Sequence, residues 1–172
     1  MEVFLRAKHW QVFILGVFLH LLGTIFFTSS PSLQLLGSAT GILMVFIYPF
    51  MVGYLLQDYL PSRVQLKYTF FIINSFLWLG AYLVALILFE GQKKEFSGLS
   101  GLLFFYIVFA FFYSFAFPAK AIKSIEMRSE ASFGDYFYYF FLMLAFPLGI
   151  WILQPKINKI VARGKTAAES VE

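Results

Sequence analysis

The chain has 172 residues, of which 60% are hydrophobic, 22% aromatic and 13% charged, and its mean hydropathy is +0.80. A soluble domain carries about 25% charged residues, and surface-to-volume scaling forbids hiding this much apolar area inside so small a globule. Zero cysteines exclude disulfides, thiolate metal sites and a thiol nucleophile. The +4 net charge sits beside apolar runs, so the expected partner is a lipid bilayer with anionic headgroups, and nucleic acid is set aside.

A membrane-spanning helix needs about 20 mostly apolar residues, and five segments approach that length. Residues 10–27 form the first. Arg6 and Lys8 precede it as in a signal peptide, but no small-x-small cleavage site follows, so it reads as an uncleaved first span. The second, 33–56, follows a turn at 28–32 that contains Pro31. It carries Gly37-x-x-x-Gly41, a small-residue pattern that lets two helices approach closely. Tyr48-Pro49 marks a kink in the same helix.

The third segment, 68–89, is free of charge. In the fourth, 99–118, nine of the fourteen residues from Phe104 to Phe117 are Phe or Tyr. The fifth, 136–153, is interrupted by Pro147 and Gly149. Backbone polar groups in hydrocarbon must be bonded within their segment, and an edge-free barrel cannot be closed from so few runs, so all five are expected as helices.

The connections differ in chemistry. Residues 119–135 alternate Lys120, Lys123, Glu126, Arg128, Glu130 and Asp135 with Ile122 and Ile125, which predicts a charged helix extending from the fourth segment. Ser132-x-x-Asp135 has the spacing of a capping box that starts a new helix. After Pro155, Ile157, Ile160 and Val161 share one face bordered by Lys156, Lys159 and Arg163, as in a short interfacial helix. Residues 1–163 are expected as one membrane-embedded helical domain and 164–172 as a disordered polar tail.

Cytoplasmic connections carry an excess of Lys and Arg. Five full spans with the N-terminus inside give seven basic residues inside and six outside, which decides nothing. If the fifth segment instead enters and leaves on the cytoplasmic side, the count becomes eleven against two. Pro147 with Gly149 supplies the means, because Pro removes a backbone bond and disfavours helix at the residue before it. That arrangement requires residues 146–151 to pack into the bundle or a partner, and it leaves both termini cytoplasmic.

Few polar groups stand inside the apolar runs. His20 is an ionisable residue within the first, a functional candidate by default for proton relay or metal binding. No second His or acidic residue lies inside any run, so a metal set is not expected. Asn74 and Ser75 in the third run and Gln34, Ser38 and Thr40 in the second are further candidates. Interhelical hydrogen bonds from such groups contribute roughly 0.6 kcal/mol on average, so they read first as glue between helices. Glu126, Arg128, Glu130 and Asp135 read as a solvated linker. No Ser–His–acid set, Walker loop, His-Glu-x-x-His or Rossmann glycine pattern is present, so neither an enzyme nor a cofactor is expected.

Two stretches carry a resemblance. They are Ala7-Lys8-His9-Trp10-Gln11, and the C-terminal half from Ala119-Lys120-Ala121-Ile122-Lys123-Ser124 through Phe146-Pro147-Leu148-Gly149-Ile150-Trp151 to Gln154-Pro155-Lys156-Ile157-Asn158. Together they resemble a group of small, uncharacterised bacterial multi-spanning membrane proteins. The resemblance implies a bacterial inner-membrane location and no mechanism. It directs attention to Pro147, Trp151, Gln154, Pro155 and Asn158. Trp151 suits an interfacial anchor, and Gln154 and Asn158 are spaced to share one helical face.

The expected fold is therefore an all-α integral membrane bundle of four transmembrane helices plus a fifth Pro-broken hydrophobic segment, spanning or re-entrant. The expected function is a non-enzymatic structural or accessory subunit acting through helix–helix contacts in a membrane assembly or homo-oligomer. The alternative is a small transporter or channel with His20, Asn74 and Gln34 lining a polar path.

Overall fold

The computed structural model describes residues 5, 7–8, 10–14, 31–89, 98–146 and 148–169. All regular structure among them is helical: α1 (Pro31–Leu55), a 3-10 turn (Leu56–Tyr59), α2 (Tyr68–Phe89), α3 (Leu99–Met127), α4 (Phe133–Leu144) and α5 (Ile150–Glu169). Three helices are long and apolar enough to cross a membrane, over Gly37–Tyr59, Tyr68–Leu88 and Ser100–Met127. They correspond to the second, third and fourth apolar segments. Residues 10–14 of the first segment are helical, while 15–30, with His20, lie outside the described residues.

Pro49 and Pro118 lie inside α1 and α3 without ending either helix. The charged stretch after Pro118 continues α3 to Met127, as its alternation predicts. Arg128 closes that helix in the left-handed region at φ 55°, its backbone N–H donating to the Ile125 carbonyl. The reversal that follows is held by the Ser124 hydroxyl, which accepts the Ala131 N–H at 3.0 Å. Ser132 and Asp135 then form the expected capping box at the start of α4. The Ser132 backbone N–H and hydroxyl both donate to Asp135 Oδ2, at 2.8 and 2.6 Å.

The fifth apolar segment does not form one helix. It divides into α4 and the first turn of α5 around a break at 145–149, in which Pro147 lies outside the described residues. The twelve residues of α4 rise about 18 Å, well short of the roughly 30 Å hydrocarbon core. α4 runs back along α3, with the Phe112 and Phe140 rings 6.3 Å apart. α5 then reverses again. Glu126 at the end of α3 accepts from Tyr139 on α4 and Lys156 on α5, so these two positions on the arms stand near one level. The two arms form a hairpin that returns to the end it came from. Pro155 lies inside α5, which continues through it.

Helix packing follows small residues and rings. The Phe71 ring of α2 stacks on Phe117 of α3, with centroids 4.3 Å apart and an angle of 10°. Gly53 of α1 admits that pair: a Cβ there would meet Phe71 Cζ at 2.6 Å and Phe117 Cδ1 at 3.3 Å. Gly53→Ala is therefore expected to destabilise the bundle by about 1–3 kcal/mol through overpacking. Gly80→Ala supplies the control, since a Cβ there meets nothing within 4 Å and the change is expected to raise helix stability by up to about 1 kcal/mol. Thermal unfolding in detergent reads both.

A second contact is polar. The Ser114 hydroxyl of α3 donates to the Ala110 carbonyl at 2.8 Å and accepts the Trp78 indole N–H at 3.0 Å. Ser75 donates to the same hydroxyl oxygen at 3.1 Å, which ties α2 to α3 in a buried setting. Ser75 thus serves as the interhelical glue expected of it.

Candidate functional site

Every charged residue whose side chain is described lies at one end of the bundle, formed by residue 8, the 56–67 connection, the end of α3 with its turn into α4, and the body of α5. Two polar ties hold this end together.

The inner tie centres on Gln154, which has no exposed surface. α5 is amphipathic: Ile150, Leu153, Gln154, Ile157, Ile160 and Val161 are buried at helical spacing. That face meets Tyr48, Val52, Leu55 and Leu56 in one core cluster. Gln154 is the polar member of the face and must find partners there, because an unpaired buried amide costs more than its bonds return. Its Oε1 accepts from the Tyr48 hydroxyl at 3.3 Å. Its Nε2 faces the carbonyls of Leu5 and Ala7, at 3.1 and 3.2 Å, and Asn158 Oδ1 at 3.4 Å. Asn158 Nδ2 also donates to the Ala7 carbonyl, at 3.4 Å.

These contacts run from 3.1 to 3.4 Å, at or beyond the long end of the usual range, so the constraint comes from their convergence. The Leu5 and Ala7 carbonyls accept from a side chain 149 and 147 positions away. Leu5 is 1% exposed beside them.

The outer tie is ionic. Tyr139 donates to Glu126 Oε2 at 2.6 Å, and the Lys156 ammonium lies 3.2 Å from Oε1. Lys156 and Lys123 also lie over the Tyr139 ring, 5.0 and 5.7 Å from its centroid. The Glu126 side chain is 28% exposed, so the pair itself is worth no more than about 1 kcal/mol. Lys120 and Glu130 pair at 2.6 Å in the open, and that bond holds the Glu130 carboxyl below its ordinary value.

The Ser132 hydroxyl, and after it the Ser132 backbone N–H, holds Asp135 below its ordinary carboxyl value of 3.8. A depressed folded-state pKa contributes stability that is complete above the unfolded value and lost as pH falls through the folded one. Melting temperature is expected to drop below about pH 4 in the native chain, and Asp135→Asn is expected to flatten that slope.

The sequence candidates divide accordingly. Gln154 and Asn158 come together, on one face and with shared partners. Trp151 is 48% exposed and meets Phe13 edge-on at 5.5 Å. Phe146 packs against Tyr48 at 5.9 Å and Ile150 is buried, so this stretch does enter the bundle, while Leu148 stays 70% exposed. Gly37 and Gly41 are buried in α1. Asn74 is fully buried; its Nδ2 donates to the Phe70 carbonyl one turn back at 2.8 Å, and its Oδ1 has no partner among the described residues. Gln34 lies in α1 with its side chain outside the described residues, as are His20 and Pro147.

Sequence reasoning passed over Tyr48 as a hydroxyl donor, Gly53 as the close-approach glycine and Glu126 as a tie. A hydroxyl beside a proline in an apolar run was the available signal for Tyr48. The solvated-linker reading fits the exposed Arg128, Glu130 and Asp135 but not Glu126, which joins three elements.

Chemically these ties hold backbone and helix in place. They contain a neutral amide, a phenol and a charge pair, with no nucleophile set against a base. Among the described residues no three His, Asp or Glu side chains gather to hold a metal ion. No protein-family model, no curated protein and no solved structure matches the chain.

Proposed function

We propose that this chain is a non-enzymatic, multi-pass protein of the bacterial inner membrane, a structural or accessory subunit that works through helix contacts in a membrane assembly or homo-oligomer. In this reading residues 10–27 are a fourth span, the α4–α5 hairpin is re-entrant, and both termini are cytoplasmic. The observation that carries it is the outer face of α4. Phe133, Phe137, Tyr138 and Phe141 are 60, 50, 57 and 61% exposed on an arm too short to cross the bilayer. Tyr139, Glu126, Lys156, Ser132 and Asp135, by contrast, are engaged with the chain's own elements. The clustering of charge around the hairpin's open end supports the orientation.

Phe137→Cys in the native membrane tests this. No other cysteine exists in the chain, so a disulfide or bifunctional cross-link to a second copy or to a stoichiometric neighbour supports the reading. A chain that stays monomeric at 19.8 kDa under cross-linking in the membrane contradicts it.

The unpaired Asn74 Oδ1 favours one second reading, a small transporter or channel whose polar path includes His20, Asn74 and Gln34. Solute flux in proteoliposomes that vanishes in both His20→Ala and Asn74→Leu would support it, and flux equal to empty vesicles would not.

A further inference from the structure

At the charged end, a cavity of about 460 Å³ lies between the 3-10 turn, the end of α3 and the 160–163 turn of α5. Its volume falls within the roughly 300–1,000 Å³ of small-ligand sites. Arg128 and Arg163 line it from two different helices, Asp58 lines it from the turn, and Tyr59, Ile125 and Ile160 supply apolar wall. Arg128, Arg163 and Asp58 are exposed, and none of them has an ion pair among the described residues. Glu126 also borders the cavity, but its oxygens already accept from Tyr139 and Lys156.

The location narrows the ligand. The apolar helices Gly37–Tyr59 and Ser100–Met127 both end on this cavity, which puts it at headgroup depth, with an apolar wall towards the hydrocarbon. Two guanidinium groups present planar forks suited to phosphate oxygens. Asp58 is the remaining carboxylate, placed to accept from an ammonium. A helix C-terminus alone would explain one cation at Arg128. It does not explain a second, from α5, beside an unpaired carboxylate.

We propose that this cavity binds the headgroup of a phospholipid carrying both a phosphodiester and a primary ammonium, as phosphatidylethanolamine does, with Arg128 and Arg163 on the phosphate and Asp58 on the ammonium. The site gives the bundle a fixed depth in the leaflet at its charged end. It is independent of whether the chain acts as a subunit or as a transporter.

The test uses the full chain in neutral detergent micelles, with melting followed by tryptophan fluorescence. Dioleoyl phosphatidylethanolamine, phosphatidylcholine, phosphatidylglycerol and inorganic phosphate are titrated separately. Phosphatidylethanolamine is expected to raise the melting temperature most. Phosphatidylcholine, which has no N–H donor, and inorganic phosphate are expected to raise it little. Arg128→Gly removes a guanidinium at a position where φ is 55°, a conformation glycine adopts freely, so the lipid-free chain stays folded. Combined with Arg163→Gln, it is expected to raise the phosphatidylethanolamine needed for half the shift at least about tenfold, equivalent to about 1.4 kcal/mol. Asp58→Asn is expected to erase the preference over phosphatidylcholine. Equal responses in the native and doubly substituted chains, an unchanged preference in Asp58→Asn, or a full effect of inorganic phosphate alone each overturns the proposal.

Discussion

Gly149→Ala is expected to break the hairpin and to cost at least about 3 kcal/mol, the upper end of overpacking effects. The cause is a backbone approach and not a special dihedral angle. A Cβ at Gly149 would lie 1.8 Å from the Leu142 carbonyl oxygen and 2.6 Å from its carbon. Neither atom belongs to a side chain that can rotate away. Leu142 sits in the last turn of α4 and Gly149 immediately precedes α5, so relief requires the two arms to separate. Separation pulls Ile150 and Leu153, 1% and 0% exposed, out of the shared core. Gly134→Ala is the matched control on α4, because a Cβ there meets nothing within 4 Å. The measurement is the melting temperature of each variant in the same detergent. A Gly149→Ala chain as stable as the control would mean that the turn between the arms is not built this way.

The second large effect is expected at Gln154. Gln154→Glu keeps the shape and the oxygen that accepts from Tyr48, but replaces Nε2 with an acceptor facing the Leu5 and Ala7 carbonyls. Three acceptors then converge where a donor stood. Each buried polar group left unsatisfied costs about 1–3 kcal/mol, so a loss of roughly 3 kcal/mol is expected. Gln154→Leu removes the same donor from both carbonyls, leaving Ala7 the longer bond from Asn158, without the added charge, and is expected to fall between native and Glu. Hydrogen exchange separates this from general unfolding: protection at residues 10–14 is expected to fall while α2 and α3 keep theirs. Equal exchange in native and Glu chains would contradict the tie.

The elements themselves were legible because they depend on local signals. Apolar run length gave α1, α2 and α3, and Ser132 with Asp135 marked the start of α4 by reciprocal bonding over three residues. Pro147 with Gly149 flagged the break, and the spacing of Ile157, Ile160 and Val161 gave the buried face of α5. What stayed hidden depends on partners remote in sequence. Gln154 stood out only through a string, and its meaning lies in a hydroxyl 106 positions earlier and carbonyls farther still. Glu126 looks like linker charge until Lys156, 30 positions on, returns to it. Gly37-x-x-x-Gly41 fits a known packing pattern, whereas Gly53 has no motif and acquires its role from Phe71 and Phe117 on two other helices. Pro155 looks like a helix end, yet α5 continues through it.

The hairpin also changes how charge distributes. A straight fifth helix would carry Lys156, Lys159 and Arg163 to the end opposite Lys120 and Lys123. The reversal brings all five to the same end, where Lys123 and Lys156 share Glu126. One broken segment therefore sets both the polarity of the bundle and the walls of the headgroup cavity.

Side-specific labelling of single cysteines at Lys8 and Lys159 tests this most directly, since the native chain contains none. Both positions are exposed, and the hairpin predicts that a membrane-impermeant maleimide reaches both from the same face of sealed vesicles. Labelling of Lys8→Cys from one face and Lys159→Cys only from the other would contradict it, because α4 and α5 would then cross the bilayer as one continuous span.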